Sequence, residues 1–335
     1  METTLSNNKK TRVVVIGGGN GSAVIINALK QHRNRFAISA VVSVSDSGGS
    51  SGRLREELGV LPPGDILRAI LAMSPYDYRV LKQIFYRNRF TGAGKLDGHD
   101  LGNIFLALAE KYGNNYLSAV HAFEQAVEAI GHVFPSTLEK TNLVVELSNG
   151  LIIKGEAAID RPTHDRVLRI QKAWLEPTSQ AYEGACEVIK KAEVIILSPG
   201  SLYTSLIATL LPTGIHEAIQ SSHAKLLYIS GSAYEREGET GPEKLSEFVR
   251  ELQRYVPRHI DLVIPNVHTL NAAGRQKYQE KKWAEFVNDK ENIPEYTVMN
   301  MEYKNPEGDF DIERLGTILC DVIFNEHECY QCVWK

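Results

Sequence analysis

From Asp46 to Arg55 the chain reads Asp-Ser-Gly-Gly-Ser-Ser-Gly-Arg-Leu-Arg. The six small residues at 47–52 add almost nothing to a packed core. What they permit is close backbone approach: glycines reach positive φ, successive N–H groups turn toward one point, and serine hydroxyls add donors. With a strand before them and the guanidiniums of Arg53 and Arg55 after, they form a loop suited to a phosphate or another anion. The alternative is a flexible surface loop with solvated arginines. A second glycine-rich turn upstream, Gly17-Gly18-Gly19-Asn20-Gly21-Ser22, argues for the anion site. It lies between an apolar strand at 12–16 and an apolar helical run at 23–29, where a phosphate would meet a helix N-terminus. The fit to G-x-G-x-x-G is incomplete, because Ser22 stands where the third glycine would be.

Other polar residues fall at comparable junctions. The strand at 37–44 empties at Asp46, about where an acidic group bonds a ribose hydroxyl or a metal. Asp65 follows the rigid turn Leu61-Pro62-Pro63-Gly64 and either caps the helix at 66–73 or faces a ligand. In Gly98-His99-Asp100-Leu101-Gly102-Asn103, a helix starting near Gly98 would put His99 and Asn103 on one face at i, i+4. A satisfied structural histidine is the other reading. Downstream, Ser198-Pro199-Gly200-Ser201-Leu202-Tyr203-Thr204-Ser205 repeats the design of strand, small turn and helix, with Ser201, Thr204 and Ser205 as hydroxyl donors. Two anion-receptive turns at the carboxyl ends of parallel strands predict one ligand bound across the switch point of a sheet.

The elements that must position these residues read as α/β: a Rossmann-like, doubly wound, mainly parallel sheet with a helical segment and an antiparallel β-hairpin insertion. The expected organisation is a disordered N-terminus at 1–10, a single domain at 11–325 and a polar tail at 326–335. Within the domain, 76–131 reads as helical throughout and 135–180 as an insertion or lid. The insertion's hairpin spans 143–153, and Asn149-Gly150 predicts a tight type I′ turn. Arg161, Arg166 and Arg169 read as solvated rim charges. Further strands are expected at 226–230 and 262–265, a loop at Gly238-Glu239-Thr240, and a closing helix at 312–324.

Composition narrows the function. At 335 residues and 43% hydrophobic the chain can bury a sizeable core. A net charge of −4 with no basic tract argues against a nucleic-acid partner. The apolar runs are strand-sized, which predicts no membrane span and no signal peptide. Of the four cysteines, Cys186, Cys320, Cys329 and Cys332, the last two form a C-x-x-C with no second pair. That spacing does not by itself make a zinc or redox site, and a reduced cytoplasmic protein fits best.

In order, the blocks Gly-Gly-Gly-x-Gly from Gly17, Asp46-x-Gly-Gly-Ser-Ser-Gly-Arg-Leu-Arg, Leu61-Pro-Pro-Gly-Asp-Ile, Gly98-His-x-Leu-Gly-Asn, Pro199-Gly-Ser-Leu-Tyr-Thr-Ser and Gly238-Glu-Thr resemble the CofD/YvcK family. The resemblance spans roughly residues 12–320 and points to the YvcK branch, called gluconeogenesis factor. It implies a Rossmann-like fold and a homodimer. In the transferase branch it implies movement of a phospholactyl group from a guanosine diphosphate-linked donor to a deazaflavin with a divalent metal. In the YvcK branch it implies binding of UDP-sugars such as UDP-N-acetylglucosamine, with links to growth on gluconeogenic carbon sources and to cell shape. Ser47 stands where the family commonly carries a second aspartate.

The expectation is therefore a nucleotide-sugar-binding regulatory protein. Gly18, Gly19, Asn20 and Gly21 would hold a phosphate or ribose. Ser50, Ser51, Gly52 and Arg53 would take the diphosphate, with Ser201 and Thr204 closing from the second turn. His99 and Asn103 would face the same cleft, and Asp46 and Asp65 would contact ligand hydroxyls. A metal, if there is one, is Mg²⁺ at Asp46. The rival is a 2-phospho-L-lactate transferase, in which a metal at Asp46 neutralises the diphosphate; no catalytic residue is assigned. A nicotinamide-dependent dehydrogenase is disfavoured, because the Gly/Ser/Arg stretch occupies the place of the adenosine ribose.

Overall fold

The computed structural model describes residues 9–113, 115–231 and 233–324. The Cys329-x-x-Cys332 pair, the tail at 326–335 and most of the segment at 1–10 lie outside the described residues.

A six-stranded, wholly parallel sheet forms the centre. Its strands are β1 (Thr11–Gly17), β2 (Phe36–Val42), β3 (His132–Pro135), β7 (Val194–Leu197), β8 (Lys225–Ile229) and β10 (Leu262–Ile264), in the spatial order β10-β8-β7-β1-β2-β3. Such strands need both faces covered, and β1 shows how the sequence meets that need. Val13 and Val15 face one core with Ile25, Leu29 and Ile70, while Val14 and Ile16 face a second core with Ile195, Leu206 and Ile219. Each of these buried Val or Ile side chains stabilises the fold by roughly 1.5–3 kcal/mol. On the first face lie α1 (Gly19–Lys30), α3 (Gly64–Met73) and the last helix, α13 (Ile312–Phe324), all packed around α1.

The chain runs β1-α1-β2, continues outward to β3, then returns to β7 on the other side of β1 and proceeds to β8 and β10. Strand order therefore reverses between β1 and β7, so a crevice opens at their carboxyl ends. Residues 47–52 depart from expectation: α2 spans Gly49–Leu58, so Ser50, Ser51 and Gly52 form its first turn and not a loop. Gly52 holds that turn closed, since a Cβ there would lie 2.1 Å from the Ser47 carbonyl oxygen.

The long crossover from β2 to β3 carries α2, α3, α4 (Tyr78–Lys82) with a π-helical turn at Gln83–Arg87, α5 (Leu101–Gly113) and α6 (Tyr116–Ala126). It is not helical throughout: residues 88–100 are irregular apart from the short 3-10 turn Gly94–Leu96, and β3 follows directly as the sheet's edge. A separate antiparallel sheet, β5-β4-β6, comprises β4 (Asn142–Leu147), β5 (Ile152–Lys154) and β6 (Ile170–Glu176), with α7 (Glu156–Asp160) between the last two.

Its hairpin does not use the two-residue turn. The Leu147 N–H donates to the Leu151 carbonyl, the Gly150 N–H donates to the Leu147 carbonyl, and in the loop 148–150 only Gly150 has positive φ (+84°). That is a three-residue loop with glycine in the left-handed position, and the Asn149 side chain accepts from the Leu151 N–H instead of entering that region itself. The second face of the main sheet is completed by α8 (Glu183–Lys191), a π-helical turn Leu202–Ile207 running into α9 (Ala208–Leu210), α10 (Ile215–Ser221) and α11 (Leu245–Gln253). A small ribbon of β9 (Ala233–Glu235) and β11 (Trp283–Glu285) borders the crevice, and α12 (Ala272–Glu280) lies beside it.

Candidate functional site

One cleft of about 800 Å³ occupies the reversal point. Its floor is the pair of glycine-rich strand ends. α1 begins at Gly19 behind Gly18, α2 begins at Gly49 behind Gly48, and neither start has a side-chain cap. Side chains cap α4 (Asp77), α6 (Asn115) and α12 (Asn271), while α3, α8, α10 and α11, like α1 and α2, start without such a cap. The two uncapped N-termini of α1 and α2, with their free N–H groups and positive dipole ends, open on the same space.

Glycine is required here by contact as well as by φ. A Cβ on Gly21 would sit 1.5 Å from the Pro199 carbonyl oxygen, and one on Gly18 would sit 2.5 Å from Asp65 Oδ2. The second turn therefore presses directly on the first turn of α1. Asn20 is held by Lys82, whose Nζ donates to Asn20 Oδ1 at 2.7 Å. Burial, with Arg68 and Arg87 nearby, lowers that lysine to about 8.

A carboxylate group faces these helix starts. Asp46 leaves β2 and accepts from the Gly48 N–H at 2.8 Å. Burial raises its pKa, the like charge of Asp65 raises it further, and the Gly48 N–H and Arg68 oppose the shift. Arg68, one helical turn beyond Asp65 on α3, pairs with the Asp65 carboxylate and donates to the Tyr86 hydroxyl at 2.7 Å. Burial would lower this guanidinium, but Asp65, Tyr86 and Asp46 more than offset it, so its pKa lies above the ordinary value. From the facing wall α7 brings Glu156, pushed up to about 8 by burial and then by Asp46 and Asp160, together with Asp160, raised by burial. Ser47 links the two walls, its hydroxyl accepting from the Ala157 N–H at 3.0 Å.

Among the described residues no three His, Cys, Asp or Glu side chains are grouped to hold a metal. Asp46 Oδ2 and Ser51 Oγ do crowd around Gly64, at 3.2 and 2.5 Å from the position of a Cβ there. One or two carboxylates with a hydroxyl suit a hard cation such as Mg²⁺ that takes its other oxygens from a bound phosphate. Asp46 and Asp65 would hold such an ion, and its charge would offset that of a phosphate bound beside it.

The turn after β7 behaves differently from the starts of α1 and α2. The N–H groups of Leu202, Tyr203 and Thr204 and the Thr204 hydroxyl all donate to the Glu239 carboxylate, the Tyr203 and Thr204 amides at 3.1 Å. A chain carboxylate fills the anion site expected at this helix start. Burial pushes Glu239 up to about 7 even though these amides favour its charge. Arg166 donates to the Gly238 carbonyl at 2.8 Å and Arg169 to the Gly241 carbonyl; both arginines stay exposed, so they are rim charges that also tie down the Glu239 loop.

Of the residues expected from sequence, Gly18, Gly19, Asn20, Gly21, Asp46, Ser50, Ser51, Asp65, Asn103, Ser201 and Thr204 line the cleft. Three lie elsewhere. Arg53 is on the outer face of α2 and donates to the Asp97 carbonyl at 2.8 Å. Gly52 is buried inside the turn. His99 precedes α5 instead of sitting on it, so the i, i+4 relation to Asn103 does not arise. It is 2% exposed behind Ser50, with 2.9 Å between Nδ1 and Ser50 Oγ, and burial lowers its pKa. His99 therefore orients Ser50. Arg55 likewise donates to Asn142 Oδ1 at 2.9 Å and ties α2 to the small sheet.

Sequence reasoning missed Arg68, Arg89, Glu156, Asp160, Glu239 and Lys304, which also line the cleft. Two of these carried a signal: Arg68 lies at i+3 from a first-turn aspartate, the spacing of a helical ion pair, and Glu239 lies in the Gly238-Glu-Thr block.

The family described as 2-phospho-L-lactate transferase CofD matches residues 13–304. A gluconeogenesis factor of Listeria monocytogenes is 35% identical over 263 residues, 78% of this chain and 79% of that protein. One of Halalkalibacterium halodurans is 33% identical over 277 residues, 82% and 83% of the two chains. A crystal structure from Bacillus halodurans, described as a member of the UPF0052 family, superposes with a TM-score of 0.84 at 29% identity, covering 93% of this chain and 99% of that one.

Proposed function

The chain belongs to the CofD family, and on that premise we propose that it is a cytoplasmic nucleotide-sugar-binding factor of the gluconeogenesis-factor type, acting in carbon metabolism and cell-shape maintenance. One observation carries the reading: two uncapped helix N-termini, those of α1 and α2, open on one cleft at the sheet's reversal point. Such a pair suits the two phosphates of a diphosphate, with backbone N–H groups as donors and Ser50 and Ser51 adding hydroxyls. The names of the relatives favour a regulatory role. UDP-N-acetylglucosamine is the ligand proposed.

Phosphoryl transfer of the CofD kind is the second reading. It is favoured by the family match and by the Asp46–Asp65 pair, which together with ligand oxygens suits Mg²⁺. Isothermal titration with UDP-N-acetylglucosamine and with GDP, each with and without Mg²⁺, separates the two. Metal-independent micromolar binding of the UDP-sugar supports the binder, and metal-dependent binding of GDP alone supports the transferase. Complementation of a strain lacking its own gluconeogenesis factor, on a gluconeogenic carbon source, tests the biological role.

Self-association is part of the proposal. Leu101, Phe105, Leu108 and Tyr112 are 44%, 40%, 40% and 78% exposed on α5. Their spacing puts all four within about 60° of helix circumference. Val80 and Ile84 are exposed on the neighbouring segment. An apolar stripe of this kind pairs with its own copy about a two-fold axis.

A further inference from the structure

The cleft changes character over β8 and β10. Tyr234, Trp283, Phe286 and Phe310 line it there. Three to four strand spacings, about 14–19 Å, separate this end from the Asp46 strand. Lys304 belongs to the same end. The preceding Tyr303 is wholly buried, with its hydroxyl donating to the Ser230 and Ile264 carbonyls at the carboxyl ends of β8 and β10. Lys304 bridges to Phe310 across a tight turn, which fixes the lysine over the aromatic wall.

The Lys304 residue is 5% exposed, and its Nζ lies 4.5 Å from the Phe310 ring centroid. Among the described residues no oxygen accepts a hydrogen bond from it. Asp309, the carboxylate whose charge acts most on Lys304, is paired with Lys277. Burial lowers Lys304 to about 8. Lys304 Nζ stays open to the cleft, where a ligand oxygen can take the place of water as its acceptor.

We propose that this end of the cleft is a nucleobase subsite, in which the base stacks on the aromatic wall and a ring carbonyl oxygen accepts from Lys304 Nζ. The proposal rests on the nucleotide reading above and adds a selection rule. Lysine only donates. Uracil and guanine present a keto acceptor where cytosine and adenine present an amino donor. Keto bases are therefore selected over amino bases.

The test is calorimetric titration with UDP against CDP, and GDP against ADP, on the full chain, on Lys304→Met and on Lys304→Arg. The wild type is expected to prefer the keto partner of whichever pair binds by about tenfold or more. Lys304→Met should weaken the keto nucleotide to the level of its amino partner and leave the latter unchanged, while Lys304→Arg keeps the preference. Equal affinity for both members of a pair in the wild type overturns the proposal without needing any variant to fold. So does an equal loss for both in Lys304→Met, which would put the lysine on a group common to them. Failure of every nucleotide to bind the wild type overturns the nucleotide reading itself, and this subsite with it.

Discussion

Replacing Arg68 with methionine tests how the cleft tolerates its carboxylates. The guanidinium is 14% exposed and pairs with Asp65, whose side chain is 11% exposed. Asp46 lies close enough for its charge to act on both of them. Methionine keeps most of the volume, so the loss is electrostatic. Removing one member of a buried ion pair costs about 3–5 kcal/mol, because the other charge is left uncompensated. The sign with pH follows from linkage. Without Arg68 the folded-state pKa of Asp46, already raised by burial and by the Asp65 charge, rises further, so the native state binds a proton more readily. The stability it contributes is then fully present at low pH and lost as pH rises. Urea denaturation at pH 5.5 and pH 8 should therefore show a deficit at least about 1 kcal/mol smaller at the lower pH, as one unit of pKa shift implies. A loss below about 1 kcal/mol at both values, or a larger loss at pH 5.5, would refute the reasoning.

Other predictions follow from the same contacts. Gly21→Ala, with its Cβ placed 1.5 Å from the Pro199 oxygen, should lower the melting temperature far more than Gly49→Ala. At Gly49 the Cβ meets nothing, and only the left-handed φ of +49° costs about 1–2 kcal/mol; equal losses would contradict the packing. Glu156 and Glu239, raised to about 8 and about 7, should make the wild type lose thermal stability between pH 5 and pH 7.5. Lys30, Lys82 and Lys304, each lowered to about 8, act with the opposite sign only above that window, and His99, His164 and His268, lowered by burial, do so only below the ordinary histidine value of 6.5; a stability that rises from pH 6.5 to pH 7.5 would count against the burial of the two glutamates. The double variant Phe105→Asp/Leu108→Asp should sediment as a monomer where the wild type sediments as a dimer, and unchanged sedimentation would remove α5 as the self-association face.

The sheet and its two glycine turns were legible because each is a local event: a buried β-branched run ends in residues that only a close backbone approach explains. The start of α2 was not, since glycine and serine are poor helix formers. That helix is held by contacts such as Ser50 with His99 and Gly52 against Ser47. Once residue 49 begins a helix, its phase turns Arg53 outward and leaves Arg68 of the next helix to face the carboxylates. Lys304 was invisible for another reason: it reaches the cleft from a segment far along the chain with no local pattern to mark its destination. Glu239 stood in the Gly238-Glu-Thr block, but nothing local shows that its carboxylate fills the turn after β7. The hairpin turn misread Asn149-Gly150 because strand register, set by β4 pairing with β6 as well as β5, decided the loop length.

The central claim is that the N-termini of α1 and α2 jointly receive a diphosphate, and amide chemical shifts test it most directly. On titration of the labelled protein with UDP-N-acetylglucosamine, the N–H resonances of Gly19, Asn20, Gly49 and Ser50 should shift together and saturate at a single dissociation constant. Saturable binding that leaves those four amides unmoved, or moves only one of the two helix starts, would contradict it.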